Sequence, residues 1–255
     1  MSQSSDPQTS RAQGSEVTAA VLIIGDEILS GRTKDKNIGT IADMLTEIGV
    51  DLREVRIVPD VQAEIVAAVN ALRARYTYLF TSGGIGPTHD DITADSVAAA
   101  FGVGIDIDPR ARAMLLERHR PEDLNEARLR MARIPDGADL IANPVTKAPG
   151  FRIGNVFVMA GVPQIMAAML DEIRPTLTGN APVISETIEA GAIPEGNFAG
   201  GLSEIAAAHG SLSIGSYPSM TPDGFRNRIV VRGRDADAVA AARAAIEKLL
   251  EELRV

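Results

Sequence analysis

Residues 17–25, VTAAVLIIG, are apolar without alternation, rich in β-branched side chains, and closed by glycine. A strand with one face in water alternates. A strand without alternation is buried on both faces, as in the middle of a parallel sheet. Parallel neighbours cannot be joined by a tight turn, so helices must carry the chain back. The following sequence has that form. Residues 37–49 place Ile38, Ile41, Leu45 and Ile48 at helical spacing, with Asn37 as a cap and Gly49 as a stop. LREVRIV (52–58) alternates as a strand, and residues 61–76 read as a helix with Asp60 at its start. TYLFTS (77–82) is a third strand and ITADSVAAAFG (92–102) a third helix. The spacing predicts an α/β domain with a mostly parallel sheet and helices on both faces.

Two further helices are expected over 108–119 and 122–135, then a hairpin over 151–161 turning at Gly154 and Asn155. A helix over 162–177 has Pro163 in its first turn. Pro175, Gly179, Asn180 and Pro182 break the pattern. Beyond them a β-α-β-β-α series predicts a small α+β domain. The expected organisation is a polar, disordered lead-in over 1–16, an α/β domain over 17–178 and a second domain over 183–255.

The chain has 255 residues and no cysteine, which excludes disulfides, thiolate metal sites and a cysteine nucleophile. That composition is compatible with a cytoplasmic protein. No apolar run reaches the roughly 20 residues of a spanning helix, so no membrane partner is expected. The net charge of −9 and the absence of a Lys/Arg block argue against a nucleic-acid surface. A small anion can still be bound locally by backbone N–H groups.

In an open parallel sheet, ligands bind beyond the carboxyl ends of the strands. Three polar loops fall there: GDEILSGRTKDKN, PDV and SGGIGPTHDD. In the third, Gly83, Gly84 and Gly86 let N–H groups turn around an anion, and the next helix points its positive end at the same place. Asp90 and Asp91 would repel a bare phosphate. Asp91 is therefore expected either to cap that helix or to hold a divalent metal that bridges to phosphate. His89 is read as solvated, and His119 and His209 as helix-end residues. Ser82 lacks a hydrolase-type partner. Lys147, in a second Gly/Pro loop (143–151), is in reach of a phosphate if that loop folds inward.

The ordered set GDEILSG with Asn37, VPD, TSGGIGPTHDDIT, NP…APGF and AGVPQIM resembles the molybdopterin-binding domain family. Within it the chain is similar to the amino-terminal part of competence/damage-inducible protein A and to the equivalent domain of FAD synthases. The resemblance covers roughly residues 17–177, and the segment after it resembles the small domain that follows in that branch. It implies a doubly wound fold whose pocket takes a small-molecule nucleotide or pterin phosphate. The acidic positions of the family match Asp60 and Asp91, and its glycine loop matches Gly83, Gly84 and Gly86.

The expected site is then catalytic Asp26, Asp60 and Asp91, with Asp91 and Asp26 on a divalent metal (Mg²⁺ or similar). Phosphate binding is expected from Ser82, Gly83, Gly84, Gly86, Pro87, Thr88, Asn143, Lys147, Gly161 and Pro163. The implied activity is metal-dependent hydrolysis of a nucleotide pyrophosphate of the ADP-ribose or FAD type. The alternatives are a protein that binds or adenylylates molybdopterin, and a non-catalytic interaction module. A homo-oligomer is compatible with all three.

Overall fold

The computed structural model describes residues 16–222 and 224–254. The expected disordered lead-in lies almost wholly outside them. The chain parts between Asn180 and Ala181 into two units.

The first unit runs β1 (Thr18–Ile24), α1 (Asp26–Leu29), α2 (Asn37–Glu47), β2 (Asp51–Val58), α3 (Gln62–Arg75), β3 (Tyr78–Ser82) and α4 (Thr93–Phe101). It continues with β4 (Ile105–Ile107), α5 (Pro109–Leu116), α6 (Glu126–Arg130), β5 (Arg133–Pro135), β6 (Asp139–Ile141), β7 (Gly150–Ile153), β8 (Val156–Met159) and α7 (Pro163–Ile173). Six strands form one sheet in the order β2-β1-β3-β8-β7-β6. β2, β1, β3 and β8 are parallel, and β7 and β6 are antiparallel additions. As its lack of alternation requires, β1 is buried on both faces, Ala19 to Leu22 being wholly inaccessible.

Two cores result, one on each face of the sheet. Ala20, Leu22 and Ile24 pack with Ile65, Val69, Leu72, Val97 and Phe151 on one side. Ala19, Val21, Ile23, Phe80 and Phe157 pack with Ile41, Leu45, Met166 and Leu170 on the other. The chain leaves β1 toward β2 but leaves β3 toward β8, so the connections diverge between β1 and β3. A crevice at the carboxyl edge is the expected consequence.

Residues 122–135 do not form one helix. Asn125 accepts from the Arg128 N–H and starts a short α6. The chain then straightens into β5, which pairs antiparallel with β4. Short strands of three residues carry too little pattern to be read from sequence.

The second unit is β9 (Ile184–Gly191), α8 (Glu195–Ala208), β10 (Ser213–Thr221), β11 (Gly224–Gly233) and α9 (Ala236–Glu252). Its antiparallel sheet has the order β10-β11-β9. Ile188, Ile229 and Val231 meet Phe198, Val239 and Ile246 in a separate core.

Candidate functional site

β1, β2 and β3 end at Ile24, Val58 and Ser82, so the loops after them share one edge of the sheet. The Gly25 N–H donates to Val58 O at 3.2 Å, and the Asp26 N–H donates to Asp60 Oδ2 at 3.0 Å. Asp26 and Asp60 are thus neighbours, as the common edge requires. Partial burial raises the Asp60 pKa above the ordinary carboxylate value. The Asp26 N–H pulls it back, while repulsion from Asp26, Glu27 and Asp90 pushes it further up.

The glycine loop sits against β1 and α4. Gly83 has φ +112°, and a Cβ there would lie 2.1 Å from Ile24 O. Gly84 has φ +69°, and a Cβ there would lie 2.2 Å from Thr93 Oγ1. Only glycine adopts this path without a clash. The Gly83 N–H donates to Met159 O, and Thr93 Oγ1 donates to Gly83 O at 2.9 Å. Among the described residues the N–H groups of Gly84 and Ile85 have no acceptor. They lie beside the first turn of α4, which has no side-chain cap. Unpaired N–H groups at a helix N-terminus are a ready anion cradle.

Asp91 has a job that neither expectation named. Its carboxylate accepts from the Gly86 N–H at 2.7 Å, the Thr88 N–H at 2.8 Å and the Thr88 hydroxyl at 2.5 Å. It latches the glycine loop. It does not cap α4, whose cap position is Ile92. Both of its oxygens are engaged with the loop, whereas the carboxylate of Asp26 has no hydrogen-bond partner among the described residues. Among those residues no three His, Cys, Asp or Glu side chains converge as a metal cage. One free carboxylate beside a phosphate cradle still fits a Mg²⁺-type ion, which takes one or two carboxylates and completes its shell with substrate phosphates and water.

Asn37 is the first residue of α2 rather than its cap; Asp35 Oδ1 accepts the Ile38 N–H instead. The Asn37 side chain is buried and donates to Ser82 Oγ and Gly161 O, each at 2.8 Å. Ser82 Oγ donates in turn to Ala160 O. Ser82 and Gly161 are therefore tied into the wall of the site through Asn37. Pro163 begins α7 at the same edge, and a Cβ on Gly161 would stand 3.2 Å from Gly83 Cα. Pro87 and Thr88 are exposed on the loop, with His89 and Asp90 beyond them, His89 almost fully in solvent.

Two expected phosphate contacts are turned elsewhere. Asn143 is buried and organises its own turn, donating to Ala148 O at 2.8 Å and accepting from the Val145 and Thr146 N–H groups. Lys147 pairs with Glu117 Oε2 at 2.7 Å. Its φ of +67° is a left-handed backbone, a conformation that residues with a Cβ seldom adopt. The cation that the fold does bring to the loop is Arg130. Its Nη2 donates to Asp91 O at 3.1 Å, while its Nε is buried without a partner. A small cavity behind the loop is lined by Gly84, Ile85, Gly86, Asp91, Arg130 and Phe151. No local sequence signal marks Arg130, which stands 39 residues past Asp91.

Residues 20–179 match the family described as "Probable molybdopterin binding domain", and residues 182–255 match "FAD synthase, middle domain". A CinA-like protein of Citrifermentans bemidjiense is 39% identical over 202 residues, 70% of this chain and 48% of its own length. A probable FAD synthase of Caenorhabditis briggsae is 27% identical over 263 residues, 93% of this chain and 50% of its own length. The chain spans about half the length of these two relatives. A protein of Aeropyrum pernix is 34% identical over 249 residues, 92% of each chain. Among solved structures, CinA of Thermoplasma acidophilum is 36% identical with a TM-score of 0.60, covering 63% of this chain and 98% of that one. The fold, the glycine-loop cradle at its carboxyl edge and these matches agree: the chain belongs to the molybdopterin-binding domain family, in the CinA-like and FAD-synthase branch, with a FAD-synthase-type middle domain after it.

Proposed function

We propose that the first unit binds the phosphate of a dinucleotide-type ligand and hydrolyses its pyrophosphate. The observation that carries this reading is the pair of N–H groups at Gly84 and Ile85, without an acceptor among the described residues, set beside α4 in the loop that leaves the same sheet edge as Asp26 and Asp60. These N–H groups hold non-bridging phosphate oxygens, with the positive end of α4 behind them. Arg130 adds positive charge behind the loop, the role expected of Lys147. Asp60 accepts a hydrogen bond from the attacking water and takes its proton; a carboxyl made less acidic by burial suits that role. Asp26 would hold a divalent cation together with the substrate phosphates. When bound, such a cation neutralises charge on the phosphoryl oxygens and makes water more acidic.

The family description supports a second reading, in which the same cradle takes the phosphate of molybdopterin for binding or adenylylation. Product analysis separates the two. Purified protein with Mg²⁺ is given ADP-ribose, FAD or molybdopterin with ATP. AMP release from ADP-ribose or FAD is expected. A stable pterin complex without release from either would favour the second reading. No binding of any of the three would reduce the unit to an interaction module.

A further inference from the structure

Residues 226–234, RNRIVVRGR, contain no run of basic residues, and the chain is acidic overall. That is why no nucleic-acid surface is expected from the sequence. The period of two residues along β11 alters the picture, because alternate side chains share a face. Ile229 and Val231 point to α8 and α9, Asn227 donates to Ile193 O, and all three are buried. Arg226, Arg228 and Arg232 lie on the opposite face and are exposed. The strand register completes that face. Ser219, Tyr217 and Ser213 of β10 stand opposite Arg226, Arg228 and Arg232. Glu189, Thr187 and Ser185 of β9 stand opposite Arg228, Val230 and Arg232.

The composition of this face is unusual for its surroundings. Residues 181–255 hold ten Asp and Glu against seven Arg and Lys, yet the open face holds three Arg and one Glu. Among the described residues none of these three arginines makes an ion pair. Tyr217 is 52% exposed. A Cβ on Gly215 would stand 3.2 Å from the Tyr217 ring, so the glycine lets the ring lie along the strand as a platform.

We propose that the open face of β10-β11-β9 binds single-stranded RNA. Three guanidinium groups spaced along the central strand of an uncovered sheet suit a line of phosphates. The exposed ring of Tyr217 gives a base a surface to stack on. Ser185, Thr187, Ser213 and Ser219 supply hydroxyls that can meet ribose 2′-hydroxyls. An acidic peptide would use the arginines but not the aromatic platform.

The test uses the whole chain and a fluorescein-labelled 12-nucleotide uridine oligomer, read by anisotropy at 50 mM salt. Saturable binding is expected, with a slope of log affinity on log salt of about −2 for three phosphates. The triple change Arg226→Gln, Arg228→Gln, Arg232→Gln should weaken binding at least tenfold, and Tyr217→Ala at least fivefold. Neither should change the melting temperature, since all four side chains are exposed. Arg243→Gln, on the helix side, should leave binding unchanged. The inference is overturned by a lack of saturable RNA binding, by equal affinity in the triple variant, or by equal or tighter binding of the matching DNA. It is also overturned if polyglutamate or phosphatidylserine vesicles bind through these arginines and RNA does not.

Discussion

At the scale of single residues, the site depends on two aspartates under opposite strains. Asp91 accepts three hydrogen bonds and closes the glycine loop. Asparagine offers one acceptor oxygen in place of two. Asp91→Asn should therefore cost about 1–2 kcal/mol, a fall in Tm of roughly 3–6 °C, with phosphate binding lost as the loop loosens. An unchanged Tm by calorimetry would show that the latch contributes nothing. Asp60 is strained the other way. Its folded pKa is raised, so the penalty exists where it is ionised and vanishes once it is protonated in both states. Asp60→Asn should raise Tm at pH 7, and the gain should fade below pH ~4. Turnover should be lost over the whole range. A variant that melts lower than wild type at pH 7 would mean that Asp60 is held by favourable contacts.

At the scale of elements, helix starts join the pieces of the site. Asn37 at the first turn of α2 reaches the end of β3 and the turn before α7. Asn37→Ala leaves Gly161 O and Ser82 Oγ without that donor. A loss of about 2–3 kcal/mol is expected, measured by urea unfolding with m unchanged. Ligand affinity should fall with it, because Gly161 packs on Gly83. By contrast, Asp108 accepts from the Arg110 and Ala111 N–H groups at the start of α5 and makes no hydrogen bond to the glycine loop. Asp108→Ala should cost about 1 kcal/mol and leave ligand affinity untouched. Equal effects of the two changes on ligand binding would argue against a specific brace.

At the scale of the whole molecule, each unit has its own buried core, and the candidate phosphate site draws only on the first. A chain ending at residue 180 should therefore fold cooperatively and keep the ligand affinity of the longer chain within about threefold. Residues 181–255 should likewise fold alone, as a unit of that size with its own core can. An insoluble or molten 1–180 fragment would show that the cores are not independent.

The alternation of elements, the buried central strand and the glycine loop at the carboxyl edge were all legible in the sequence, because periodicity and glycine placement are local properties. So was the gathering of Asp26, Asp60 and the loop, since parallel strands must end on one edge. Asp91 as a latch was not legible, because its hydrogen-bonding partners depend on how the loop closes. Neither was the exchange of Lys147 for Arg130. A cation's reach is decided by backbone that other elements position, and Lys147 sits on a left-handed turn that sends it to Glu117. The basic face of β11 illustrates the same division. Its arginines are plain in the sequence, but which face they share, and that α8 and α9 leave it open, is decided by the packing of those helices on the other side.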